Sequence, residues 1–403
     1  MTDNDMNTSS CGGYVPLEQP ARTVASPRSV TIGFPVCNLP GERRFPLTPE
    51  GAAQLVDRGF RVRIEEGAAR PIHYTDSQYI RAGADICPRS EAMACDIVVH
   101  LAPVGERDAR AVRRGAILFT LLSPGLQSAR SIELLRSRHI ISIALDLIED
   151  DAGHRPFYDI LAEIEGRASI ALAASLLADA EHGKGILLGG IAGIVPCEVT
   201  VLGSGIAACS AARSAVGMGA VVKMFDNDVY SLRNAARELG PGIVTSSLHP
   251  RVVTSALRSA DIVVATPLNA RFRVDSDDMA QLKKGVLIFD LADGGSRSVF
   301  PSLRPIDLAA ATSHPDISLT EGNRVCYTHA GSAVPRTSAM ALSNTLLTML
   351  DSIMVCDGAT NALKLLPGLR KGAYTFAGRI VNNVIAGIAG SRAADISLFL
   401  SFS

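Results

Sequence analysis

The stretch Val199–Asp228, VTVLGSGIAACSAARSAVGMGAVVKMFDND, constrains the fold more than any other part of the chain. An apolar run leads into Gly203, Gly205 and Ala208, a helical pattern follows at once, and a second apolar run ends on Asp226. This is the order of strand, tight turn, helix and strand in which G-x-G-x-x-G/A serves a dinucleotide. The first glycine makes the turn. The second leaves the backbone bare, so that a pyrophosphate can approach the helix N-terminus. The third position needs only a small side chain, which Ala208 supplies. A carboxylate at Asp226, about 20 residues on, accepts from ribose hydroxyls and repels a 2′-phosphate, which predicts NAD rather than NADP. Thr266, in the small-residue strand end VVATP, is expected on the same crevice.

Around that unit, short apolar runs alternate with stretches of helical spacing. VTIGFPV is followed by TPEGAAQLVDRG, where Thr48 can cap a helix and Pro49 suits its first turn. FRVRIEEG, DIVVHLAP, AILFTLLSP and IISIALDLI read as strands, with DSQYIRAG, ARAVRRG and SARSIELLRSRH as helices. The Ala/Leu-rich stretch Asp159–Gly183 is expected as one helix of about five or six turns joining two lobes. CEVTVLG, AVVKMFD, IVTSS, ADIVVATP and GVLIFDLAD are strand candidates for a second sheet, and the tail from TSAMALSN turns helical. The fold class is therefore α/β: two Rossmann-like, doubly wound parallel-sheet domains with a cleft between them. Residues 1–28 lack a periodic apolar pattern and are expected as a disordered leader.

At 403 residues the chain exceeds what one core usually supports. A net charge of −1 gives no electrostatic basis for nucleic acid or an anionic membrane, and points to a small-molecule ligand. The eight cysteines are scattered, with no C-x-x-C pair and no histidine at metal-ligand spacing. That predicts reduced thiols, a cytoplasmic protein and no metal site. No apolar run reaches the roughly 18 to 20 residues of a membrane span, and the N-terminus lacks signal-peptide order.

On these residues the chain resembles the alanine dehydrogenase and nicotinamide nucleotide transhydrogenase family. ERRFPLTPEGAAQLVDRGFRVRIEEGA is similar to the family's opening, and GKGILLGGIAGIVPCEVTVLGSG to its entry into the nucleotide domain. GMGAVVKMFDND is similar to its acidic strand end, and AVPRTSAMALSN to its return to the first lobe. The resemblance implies a discontinuous substrate domain, 29–160 plus 337–403, around an NAD-binding domain at 161–336. It also implies homo-oligomers, dimers or hexamers. The family reaction, reductive amination of pyruvate, needs a cation for the substrate carboxylate, an acid/base at the carbonyl oxygen and a carboxylate near the amine.

Arg44 stands where the family keeps its substrate-carboxylate arginine, and a guanidinium is the matching fork. Other positions depart from the pattern. His100 stands for a lysine, Ser123 for a catalytic histidine and His329 for an asparagine beside the nicotinamide. DLADGG is two residues shorter than the family's loop, which leaves Asp293 either in the place of the catalytic aspartate or displaced by the deletion, and Ala162–Glu163 replaces a Ser-Glu pair. With the nucleotide turn whole, these changes imply an NAD-dependent oxidoreductase acting on an amino, keto or imino acid other than, or not only, alanine. His100 and His329 would then handle protons. Two alternatives stay open: an NAD-using enzyme with a non-redox net outcome, cyclodeaminase- or lyase-like, and a catalytically silent homologue. A serine nucleophile at Ser123 lacks a G-x-S-x-G elbow. His154, His182 and His249 read as solvated.

Overall fold

The computed structural model describes residues 30–268, 272–274, 276–292, 298–303, 305–307, 325–356 and 359–400. Among them are fifteen strands in two sheets. The first sheet holds β1 (Thr31–Phe34), β2 (Arg61–Glu65), β3 (Asp85–Cys87), β4 (Ile97–Val99), β5 (Ile117–Thr120) and β6 (Ile141–Ala144). The second holds β7 (Glu198–Leu202), β8 (Val221–Phe225), β9 (Ile243–Ser246), β10 (Ile262–Ala265), β11 (Leu287–Asp290), β12 (Pro305–Asp307) and β13 (Val325–Thr328). The chain then returns to the first sheet with β14 (Ala373–Phe376) and β15 (Arg379–Ile380).

Both sheets are wound alike. The first runs β3-β2-β1-β4-β5-β6 and the second β9-β8-β7-β10-β11-β13, the doubly wound order in which direction reverses beside the first strand. The reversal in the first sheet lies between β1 and β4, where Gly33 pairs with Val98. In the second it lies between β7 and β10, where Leu202 pairs with Ala265. Strands buried on both faces read as near-continuous apolar runs, as in IVVA and in ILFT and LIFD up to their buried ends at Thr120 and Asp290.

The expected joining helix forms over Pro156–Ala178, starting and ending earlier than the apolar stripe suggested. Proline suits its first turn, and Asp179 stops it by accepting from the N–H groups of Glu181 and His182. The tail is not purely helical: β14 pairs antiparallel with β6 and with β15. The apolar-run reading also needs correcting at Pro335–Val355, a helix of 21 residues long and apolar enough to cross a membrane. Its stripe of Leu342, Leu346 and Leu350 is instead buried in the first lobe's core with Leu55 and Phe157.

Candidate active site

Gly203 follows β7 with φ +117°, a conformation L side chains rarely adopt. A Cβ there would fall 2.0 Å from Thr266 Oγ1, so the turn requires glycine on two counts. Thr266 itself is buried and donates its hydroxyl to the Leu202 carbonyl at 3.0 Å, tying the ends of β7 and β10 together. Gly205 is the N-cap of helix Ile206–Gly217, and a Cβ on it would meet nothing within 4 Å. Among the described residues no side-chain hydrogen bond caps that helix, so its first amides lack such a partner. Ala208 is fully buried, as its small-residue role demands.

The carboxylate of Asp226, past the end of β8, is held in place over this turn. Ser204 donates its hydroxyl to Oδ2 at 2.7 Å, and the Asp228 amide donates to Oδ1 at 3.1 Å. Bare amides at a helix start with an acid one strand away form a cradle that fits a dinucleotide. The helix is in turn pressed against the joining helix, where a Cβ on Gly166 would fall 2.1 Å from the Ala207 carbonyl oxygen.

Across the crevice, the loop after β1 carries Arg44. Glu42 grips its guanidinium: Nε donates to both carboxylate oxygens at 2.9 and 3.1 Å, and Nη2 donates at 2.6 Å. Nη1 lies 3.9 Å from Glu165 Oε1 on the joining helix. Burial alone would push the Glu42 carboxyl up, but Arg44 outweighs it and holds the group below the usual carboxylate range. Ser332, in the turn Ala330–Ala333 that follows β13, donates to Glu42 Oε1 at 3.2 Å. Arg44 therefore sits where the two lobes and the joining helix meet.

His100 lies just past the end of β4 and is 4% exposed. Its Nδ1 is 2.6 Å from the Ala102 carbonyl oxygen and its Nε2 is 3.2 Å from that of Val36. Burial holds its pKa below the ordinary 6.5, so the ring is neutral near pH 7, and the shorter contact assigns the proton to Nδ1. The Val36 carbonyl also accepts from Arg89 Nη1 at 2.7 Å, and Arg89 bridges Glu65 and Asp108. Cys37, next to Val36, has its thiol pushed up to about 11, chiefly by burial.

Ser123 is half-buried at φ +35° before the turn Pro124–Leu126. His329 is exposed at φ +55°, and its carbonyl accepts from the Ser332 amide. Asp293 lies outside the described residues. The structure thus gathers Gly203, Gly205, Asp226 and Thr266 at one strand-end crevice, and links Arg44 to the turn that His329 begins. It places His100 against backbone carbonyls. Glu163, expected in the family's Ser-Glu place, instead pairs with Arg167 on the surface. Sequence reasoning missed Glu42, Glu165, Ser332, Ser204 and Arg89. Glu42, two residues before Arg44, and Ser204, between Gly203 and Gly205, lay beside residues that were read.

A doubly wound lobe with this turn and acid, facing an arginine-bearing second lobe, defines a nicotinamide-nucleotide oxidoreductase fold. Family models for alanine dehydrogenase/PNT match residues 36–164 with the N-terminal domain and 169–383 with the C-terminal domain. The chain is 30% identical over 381 residues to an alanine dehydrogenase of Mycolicibacterium smegmatis, covering 92% of this chain and 100% of that one. It is 29% identical over 378 residues to an alanine dehydrogenase of Geobacillus stearothermophilus, covering 92% and 99%. A solved L-alanine dehydrogenase superposes with a TM-score of 0.77 at 26% identity, covering 89% of this chain and 98% of the other. A transhydrogenase from Sinorhizobium meliloti shares the fold, with a TM-score of 0.68 at 20% identity over 87% and 99%. The chain belongs to the alanine dehydrogenase/PNT family of oxidoreductases. Its second lobe is an NAD-binding Rossmann fold.

Proposed function

We propose that the chain catalyses NAD-dependent oxidation or reduction of a small amino, keto or imino acid other than, or not only, alanine and pyruvate. One observation carries the reading: the joining helix meets the nucleotide turn's helix through Gly166 and the carboxylate-clasped Arg44 of the other lobe through Glu165, and Ser332 of the nucleotide lobe hydrogen-bonds Glu42. Bound NAD would supply hydride transfer. The amides after Gly205 would hold its pyrophosphate and Asp226 its ribose, with Thr266 bracing the turn. Arg44 would orient the substrate carboxylate, and Glu165, beside it, would stabilise a developing ammonium.

Proton transfer falls first to His329, which is exposed, since both ring nitrogens of His100 face backbone carbonyls. Ser123 and Asp293 complete the proposed catalytic set. Replacing a histidine and a lysine by Ser123 and His100 changes both bulk and basicity around the acid, which supports a substrate different from pyruvate.

The domain division 29–160 plus 337–403 around 161–336, a cytoplasmic location and assembly into dimers or hexamers belong to the same proposal. The loop holding Leu187, Ile191, Ile194 and Val195, exposed by 58–84%, supports assembly, because isolated chains rarely display such a cluster.

The test is a mass-spectrometric survey of what the purified protein consumes from a mixed pool of amino and keto acids with NAD or NADH. Consumption of an acid other than alanine or pyruvate with matching change in NADH absorbance is expected. Turnover of alanine alone would refute the substrate assignment, and consumption without net redox change would favour the lyase-like alternative.

A further inference from the structure

We infer that Glu42 is a positioning residue that fixes the presented edge of Arg44 and, through Ser332, couples it to the nucleotide lobe; the inference rests on reading Arg44 as the substrate-carboxylate site. The two residues lie two positions apart, close enough for the Arg44 backbone N–H to donate to Glu42 Oε1 at 2.8 Å. That bond fixes the carboxylate against its own loop. The carboxylate then takes the Nε–Nη2 edge of the guanidinium. A guanidinium offers five N–H donors in a rigid planar fork, so occupying the side edge dictates where the end edge points. Nη1 on that end edge is directed toward Glu165 and the joining helix. Arg44 is thus turned with its Nε–Nη2 edge on Glu42 and its Nη1 toward Glu165 at the junction of the lobes.

The same Oε1 receives the Ser332 hydroxyl from the other lobe. Ser332 is fully buried, and its neighbour Gly331 brings the turn so close to the joining helix that a Cβ there would fall 2.7 Å from Glu165 Oε1. Glu42 is therefore shared between an arginine of the substrate lobe and a hydroxyl of the nucleotide lobe. Separation of the lobes removes one of its anchors, and a site loses precision once its supporting contacts loosen by about half an ångström. Closure on the nucleotide lobe would in this way tighten the grip that presents Arg44.

The test reads Arg44 directly and needs no turnover. Phenylglyoxal labelling of Arg44 is followed by peptide mass spectrometry in wild type, Glu42→Gln and Ser332→Ala, with and without NADH. The neutral amide of Glu42→Gln should speed labelling at least about fivefold, since a charge-assisted clasp is lost. NADH should slow labelling in wild type, and Ser332→Ala should lose that slowing while its NADH affinity stays within about twofold of wild type. With an acid substrate in hand, Ser332→Ala should raise KM about tenfold and leave kcat within about threefold, a split that mere destabilisation would not produce. Labelling rates equal to wild type in both variants would overturn the inference. So would Ser332→Ala that keeps the full NADH effect. Altered labelling in a protein that turns over no acid would uphold the positioning role and sink the enzymatic reading alone.

Discussion

Gly203→Ala tests how the nucleotide turn is built. The alanine would have to adopt φ +117°, a strain of about 1–3 kcal/mol. Its Cβ would also fall 2.0 Å from Thr266 Oγ1, so the threonine must rotate away and forfeit its bond to the Leu202 carbonyl. That lost bond adds about 0.5–1.5 kcal/mol, for a total on the order of 1.5–4.5 kcal/mol. A domain with about 5–15 kcal/mol of stability survives this, so the variant should fold and be measurable. Thr266→Ala alone gives up the same hydroxyl bond, about 1 kcal/mol. The double variant loses that bond only once, and should be more stable than the sum of the single effects by about 1 kcal/mol. Urea denaturation of the four proteins, with unchanged slopes, gives the cycle. Gly203→Ala within about 0.5 kcal/mol of wild type, or strict additivity, would refute the argument from φ and close approach.

Gly166→Ala should destabilise by about 1–3 kcal/mol and weaken NADH binding, because its methyl would be driven into the Ala207 carbonyl at the root of the nucleotide helix; thermal melting and NADH titration check both. Asp226→Asn should raise NADPH affinity relative to NADH by on the order of tenfold, read by competition titration, since the charge that repels a 2′-phosphate is gone. His100 has its folded pKa lowered by burial, so the unfolded chain binds the proton first; its contribution to stability is full above the ordinary 6.5 and is lost as pH falls below it. His100→Gln should flatten the stability decline between pH 6.5 and the carboxylate range; below 4.5 the stability carried by Glu42, whose folded pKa lies lower still, starts to be lost as well. An unchanged slope would show that the histidine is not held neutral.

Local pattern made much of this protein legible. The turn at Gly203 and Gly205 is written in consecutive residues because one strand, one turn and one helix build it. The wound order followed from alternating runs, as each buried strand is continuously apolar. The hairpin β14–β15 was hidden because it turns through Ala377 and Gly378, both at positive φ, without the Asn-Gly or Asp-Gly pair that usually marks such a turn. β12 and β13, of three and four residues, are as short as strands that were read, such as β4 and β10, but went unread. The arginine was found through resemblance, but its setting was not: Ser332 is 290 positions from Glu42 and meets it only once both lobes are folded. Glu165 was passed over because Glu163 matched the expected pair, although the helix turns Glu163 to Arg167 and Glu165 toward Arg44.

The most direct test of the nucleotide site is a fluorescence titration with NADH and NADPH, made simple because the chain contains no tryptophan to overlap the nicotinamide signal. Saturable NADH binding at one site per chain is predicted, with NADPH weaker by at least about tenfold. Absence of NADH binding by folded protein, or equal affinity for the two nucleotides, would contradict the account.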